Sequence, residues 1–230
     1  SFNSVNDGSA GSLGLEAADD TWYLRLRGTL RSATDAETPE GRLRDSRFHD
    51  RNFSVSAGLR PHAQHELRAR YQLFDARDVG IPGGASFPPQ ASARYPDERR
   101  ELMQAEYRAV QPGGALDELL LRLSHQRIDR NVELIPNPVV TTRPSAEHYM
   151  NAAFLQSSWT AAAHHIVAGV DAWQREYDGR RLRENRTTNT VIADLPLPNA
   201  RFRSIGAFVQ DEWSLPGDRL LLTLGARADQ

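Results

Sequence analysis

In this 230-residue chain, apolar and polar residues alternate over segment after segment, and that period of two constrains the fold more than any other feature. Successive side chains of a strand point to opposite faces, so alternation implies a sheet with one apolar face and one polar face. Trp22, Leu24, Leu26 and Leu30 fall on one side, and Tyr23, Arg25, Arg27, Thr29 and Arg31 on the other. Phe53, Val55, Ala57 and Leu59 alternate with Asn52, Ser54, Ser56 and Arg60. Leu67, Ala69, Tyr71 and Leu73 do so with Arg68, Arg70 and Gln72. The pattern returns at 119–124, where Leu120 interrupts it, and at 166–173, 205–210 and 220–225. Segment 97–110 is rich in helix-favouring Glu, Arg, Leu and Ala. Met103, Ala105, Tyr107 and Ala109 nevertheless alternate with Gln104, Glu106 and Arg108, so we read strand there as well. The pattern amounts to about ten strands, each of the length a tilted membrane strand needs.

The connections sharpen this reading. Tight ones fall at 18–20, 61–65, 111–117, 160–165 and 215–219, most carrying Gly, Pro or Asp. Long ones fall at 34–49, 80–96, 136–147 and 181–200. Short and long alternate strictly, which puts every short turn at one end of the sheet. Loops of that length are uncommon in compact soluble domains, whereas outer-membrane barrels have short periplasmic turns and long outer loops. Trp22 follows a short turn, and Trp159 and Trp213 precede short turns. All three would therefore sit at the periplasmic membrane boundary, where an apolar ring with a polar N–H is favoured.

Composition removes other classes. No stretch approaches the ~20 apolar residues of a membrane-spanning helix, and the N-terminus has no secretory-signal pattern. A net charge of −2 argues against a polyanion binder, so no nucleic-acid partner is expected. The chain has no cysteine, which excludes disulfide scaffolds and thiolate metal sites. No nucleophile elbow or phosphate-binding glycine loop occurs. The adjacent pairs Asp97-Glu98 and Asp211-Glu212 point to opposite faces of a strand and cannot act together, so no enzyme is expected.

The segment Ile205-Gly206-Ala207-Phe208-Val209-Gln210-Asp211-Glu212-Trp213, followed by Leu222-Thr223-Leu224-Gly225-Ala226-Arg227, resembles a barrel hairpin of TonB-dependent outer-membrane receptors. The usual Tyr-Asp after that arginine is Ala228-Asp229 here. Thr38-Pro39-Glu40-Gly41 with Ser46-Arg47-Phe48 is similar to an outer loop of the family, and Asp78-Val79-Gly80-Ile81-Pro82-Gly83 to one in its haem-uptake branch. The resemblance implies an all-β fold: a partial antiparallel transmembrane β-barrel, about ten strands of a barrel of about 22. Residues 1–230 would be one internal barrel piece without plug domain or TonB box. The resemblance further implies location in the bacterial outer membrane and uptake of a scarce nutrient, as an iron complex (siderophore or haem). Partners would be outer-membrane lipid and lipopolysaccharide, the ligand, and the TonB complex through an N-terminal part outside this chain. A passive porin-like channel or small barrel is the alternative, and a soluble β-sandwich binding module the third reading. Alone, the piece should neither bind nor import, because open sheet edges cannot persist in hydrocarbon.

For ligand contact, Arg25, Arg27, Arg31, Arg68, Arg70 and Arg122 share the polar face, where they could meet plug carboxylates, attract an anion or merely be solvated. Arg180, Arg181, Arg183 and Arg186 cluster where a strand enters an outer loop, and could clamp carboxylates or simply face solvent or lipopolysaccharide. His49 and His148 border outer loops and could reach an outside ligand, whereas His62, His65, His164 and His165 fall in the short turns. His125 reads as structural. Neither a metal site nor a bound cofactor is expected.

Overall fold

The computed structural model describes all residues except 84–87 and 216–219. It contains β1 (Phe2–Asn3), β2 (Gly8–Ala18), β3 (Trp22–Ala33), β4 (Glu37–Thr38), β5 (Gly41–Arg42), β6 (Phe48–His62), β7 (His65–Gly80) and β8 (Ser92–Gly113). These are followed by β9 (Leu116–Asn131), β10 (Glu133–Asn137), β11 (Val140–Ala161), β12 (His164–Asn185), β13 (Thr190–Asp194), β14 (Ala200–Ser214) and β15 (Leu221–Asp229). Ten long strands form one antiparallel sheet in sequence order, and the short β1, β4, β5, β10 and β13 lie at the long-loop end. Segment 97–110 is strand, within β8.

Register identifies the faces. Leu26 pairs with Val55, Val55 with Tyr71, Tyr71 with Met103 and Met103 with His125. The row continues through Asn151 and Gln174 to Arg203. Leu26 is four residues from the short-turn end of β3, and Arg203 is eleven from the same end of β14. Rows of paired residues thus climb by about one residue per strand, the stagger that tilted barrel strands require.

The sheet has no core. Among the described residues the buried hydrophobic ones are only alanines: Ala33, Ala76, Ala93 and Ala109. Leu15, Leu24, Phe53, Leu67, Leu123, Leu155, Val170, Val209 and Leu224 stay exposed, all on one face. A sandwich would bury that face against a second sheet. A single layer with a continuous apolar face belongs against lipid, so the sandwich reading fails. Trp22, Trp159 and Trp213 lie on this face at its short-turn edge, paired with Leu59, Ile166 and Leu222.

Three glycines on the opposite face are notches filled by a neighbouring strand's side chain. The Tyr23 ring occupies the space a Cβ at Gly58 would take. Phe208 crosses Gly169 to stack on Phe154, with ring centroids 6.2 Å apart. Arg227 crosses Gly206 to reach Asp171 at 2.8 Å, which gives that glycine–arginine pair of the hairpin motif a packing role.

Two expected loops prove to be hairpins. In 136–147 the chain turns at once, because Asn137 Oδ1 accepts the N–H groups of Val139 and Val140, and β11 begins at Val140. In 181–200, β12 continues to Asn185, whose side chain accepts the N–H groups of Thr187 and Thr188, and β13 returns beside it. Residues 216–219 of the turn expected at 215–219, and 84–87 in the middle of the connection at 80–96, lie outside the described residues.

Candidate functional site

The expected arginines share the face opposite the lipid-type surface, but most are already paired. Arg25 meets Glu16 at 2.8 Å, and Arg31 meets Asp50 at 2.9 Å. Arg68 contacts Glu66 at 2.7 Å and Glu106 at 3.4 Å, and Arg122 takes the other Glu106 oxygen at 2.8 Å. Arg27 and Arg70 have no carboxylate partner among the described residues. Arg100, which sequence reasoning missed, donates to Gln126 at 3.2 Å and has no carboxylate partner among the described residues. Arg27 and Arg100 line a recess of about 220 Å³ with Asn52, Gln72 and Phe74. Spare positive charge therefore lies on β3, β7 and β8, and at Arg175 of β12, which has no carboxylate partner among the described residues either.

The outer arginine cluster does not converge. Arg181 is held in a fork by Asp194, at 2.8 and 2.6 Å, inside its own hairpin. Arg180 points to the opposite face from Arg181 and Arg183, because adjacent residues of a strand diverge.

The histidines separate in the same way. His49 pairs with Ser32 and Arg77 on the lipid-type face, with its Nδ1 2.9 Å from Ser32 Oγ, so it does not look into the lumen. His65 bonds Tyr107 at 2.8 Å, and His125 bonds Asn151 at 2.7 Å. His164 bonds Asp211 at 2.8 Å and stacks on Trp213 at 5.3 Å, a belt-edge role for those two motif residues. Gln210 donates to Glu212 on the lumen face, while Thr223 and Gly225 sit opposite Glu212 and Gln210.

His148 is the exception. It lies on the lumen face of β11, above the apolar band, with its ring 5.0 Å from Tyr177. Arg175 Nη2 is 3.4 Å from its Nδ1, too long a contact to fix the ring. Burial, with help from Arg175 and Arg130, lowers its pKa and keeps the imidazole neutral at pH 7. Met150, one of two methionines in the chain, follows two residues later on the same face, about 7 Å along the strand. His-x-Met spacing in an alternating segment was the available signal for this pair. No group of three or more His, Cys, Asp or Glu able to hold a metal occurs among the described residues.

A tilted single-layer sheet with an apolar outer face, a tryptophan belt and a charged inner face has the build of an outer-membrane β-barrel wall. The chain belongs to the TonB-dependent receptor family: residues 1–230 match the family described as TonB dependent receptor-like, beta-barrel, a family of outer-membrane receptors and transporters. No curated protein sequence matches it. Among solved structures it is similar to the copper transporter OprC, with TM-score 0.79 and 19% identity over 97% of this chain and 36% of that one. It is also similar to the ferric citrate transporter FecA, with TM-score 0.68 and 12% identity over 97% and 35%. FpvA of P. aeruginosa, bound to a pyoverdine–iron complex, gives the same values. The chain spans about a third of the length of these structures.

Proposed function

We propose that the intact protein imports a scarce metal nutrient across the bacterial outer membrane, using energy delivered by TonB, and that residues 1–230 supply about ten of its barrel strands. The observation that carries this is the single-layer sheet, with exposed leucines on one face and a charge lattice on the other. In this reading the apolar face meets lipid tails, and the charged rim above it meets lipopolysaccharide. TonB engages a part of the protein outside this chain.

The first reading of the cargo is an iron complex, a siderophore or haem. The likeness to FecA and FpvA supports it, and the unpaired Arg27 and Arg70 suit an anionic chelate. A second reading, copper, rests on one specific observation: a neutral imidazole and a thioether, His148 and Met150, face the lumen together. Those are ligands a soft ion such as Cu(I) selects, and the likeness to OprC agrees. The remaining ligands would come from outside this chain.

Metal uptake by cells carrying the full-length receptor, with and without TonB, tests both. If the cargo is copper, His148→Ala and Met150→Ala each lower copper retention by at least about tenfold, the loss of one good ligand, while Arg70→Ala does not. If it is a ferric chelate, Arg27→Ala and Arg70→Ala weaken uptake and His148→Ala is silent. Uptake that persists without TonB would replace both readings with a passive channel.

A further inference from the structure

The long-loop end carries a chain of alternating charges across six successive segments. Arg47, just before β6, donates to the two Asp78 oxygens at 2.7 and 3.2 Å. Arg94 of β8 donates to Asp78 Oδ1 at 2.7 Å and to Glu133 of β10 at 2.8 and 3.0 Å. Arg143 of β11 takes the other Glu133 oxygen at 2.9 Å and reaches Glu184 of β12 at 2.8 Å. Isolated exposed ion pairs contribute little. Here every interior member has an opposite charge on both sides, and the Glu133 side chain is only 13% exposed. Networks of that kind hold geometry better than single pairs do.

The backbone closes the same joint. Gly80 donates its N–H to the Arg47 carbonyl at 2.8 Å, and a Cβ at Gly80 would collide with the backbone of Asp45. Asp35 accepts the N–H groups of Ser46 and Arg47, at 2.9 and 3.0 Å. Arg44 reaches the Pro89 carbonyl at 2.6 Å. On the other side, Thr34 and Glu37 donate their N–H groups to Asn6 and Val5. Segment 34–47 is thus fastened to the N-terminal hairpin, the end of β7 and the segment beyond it.

We propose that this network is a clasp that locks the described outer segments between residues 34 and 184 into one rigid arc, with Asp78 as its keystone. Movement at the outer mouth is then confined to segments outside the arc. Asp194 of β13 pairs with Arg181 at the end of the arc, and residues 185–200 have no other ion pair to it among the described residues.

Limited trypsin digestion of the purified full-length receptor tests this, because Arg42 and Arg44 are cleavage sites within the strapped segment. Asp78→Asn should speed cleavage there by about tenfold, since local opening sets the rate. Glu133→Gln, which cuts the chain one step further on, should speed it severalfold. Asp194→Asn should leave that site unchanged. Retained heat-modifiable mobility shows that each variant is assembled. If Asp78→Asn fails this check, Glu133→Gln carries the test alone. Cleavage within twofold of the parent in every assembled clasp variant, or equal acceleration by Asp194→Asn, overturns the clasp.

Discussion

On β7, β8 and β9 the lumen face carries Glu66, Arg68, Arg70, Arg100, Glu106, Arg108, Glu118 and Arg122, whereas on β11 it carries Ala146, His148, Met150, Ala152, Phe154, Gln156, Ser158 and Thr160. The first region is held by charge: Glu106 sits between Arg68 and Arg122, and Arg108 closes on Glu118. The second is held by shape, with Phe208 laid across Gly169 onto Phe154. Charge pairs in a water-lined wall tolerate change, because a cut pair is resolvated. A ring in a notch does not, because the notch has no spare volume. The second wall also carries the lumen-facing pair His148 and Met150, with Arg175 beside both.

The largest effect tests the assignment of faces that both regions share. In the full-length receptor, Leu26→Arg places a charge among lipid tails at about 2–4 kcal/mol and should abolish heat-modifiable mobility. Arg27→Leu on the other face should preserve it. Equal tolerance would dissolve the comparison.

Next comes the shape-held wall. Gly169→Ala pushes a Cβ into the Phe208 ring and the Leu155 carbonyl and should lower stability to urea by about 1–3 kcal/mol, as overpacking does. A smaller loss is expected in the charge-held wall. Glu106→Gln, with its arginines partly in water, should cost under about 1 kcal/mol. A larger cost for Glu106→Gln than for Gly169→Ala would reverse the comparison.

The smallest effect near neutrality concerns pH. The Arg47 hydrogen bonds, with those of Arg94, hold Asp78 at about 2 against an ordinary 3.8, despite partial burial. Nearby Asp45 and Asp35 act on Arg47 and leave that direction unchanged. A depressed carboxyl contributes stability above its unfolded value and loses it as pH falls through its folded value. Protease resistance of segment 34–47, read with an acid-active protease below neutrality, should therefore be flat from pH 8 to about 5 and disappear between about 4 and 2. Loss of resistance near pH 6 would place its control on another group.

The period of two made the wall legible, because side-chain direction in a strand is a local property. β2 escaped that reading: Gly8, Gly11 and Gly14 dilute its alternation, and Leu13 and Leu15 alone mark its apolar face. The 136–147 and 181–200 stretches look like long loops in the sequence, since proline and polar residues suit loops, yet Pro144 sits inside β11 opposite Arg181. The sites were less legible still. Arg25 and Arg27 look equivalent in the sequence, and only register shows that one meets Glu16 while the other meets no acid among the described residues. Met150 carries no local mark of a ligand, and only register puts it on the lumen face beside His148. The Asp78 network joins residues as far apart in sequence as Arg47 and Glu184, and no local pattern announces it.

The glycine notches bear on how such a wall is put together. A strand that slips by one residue against its neighbour exchanges its two faces. A slip of two keeps the faces but moves the ring off its slot: Phe208 would then lie against Val167 or Asp171 instead of Gly169. Tyr23 at Gly58 and Arg227 at Gly206 impose the same condition elsewhere along the sheet. Each notch works as a key cut for one alignment, so hairpins joining a growing wall are checked joint by joint, before closure.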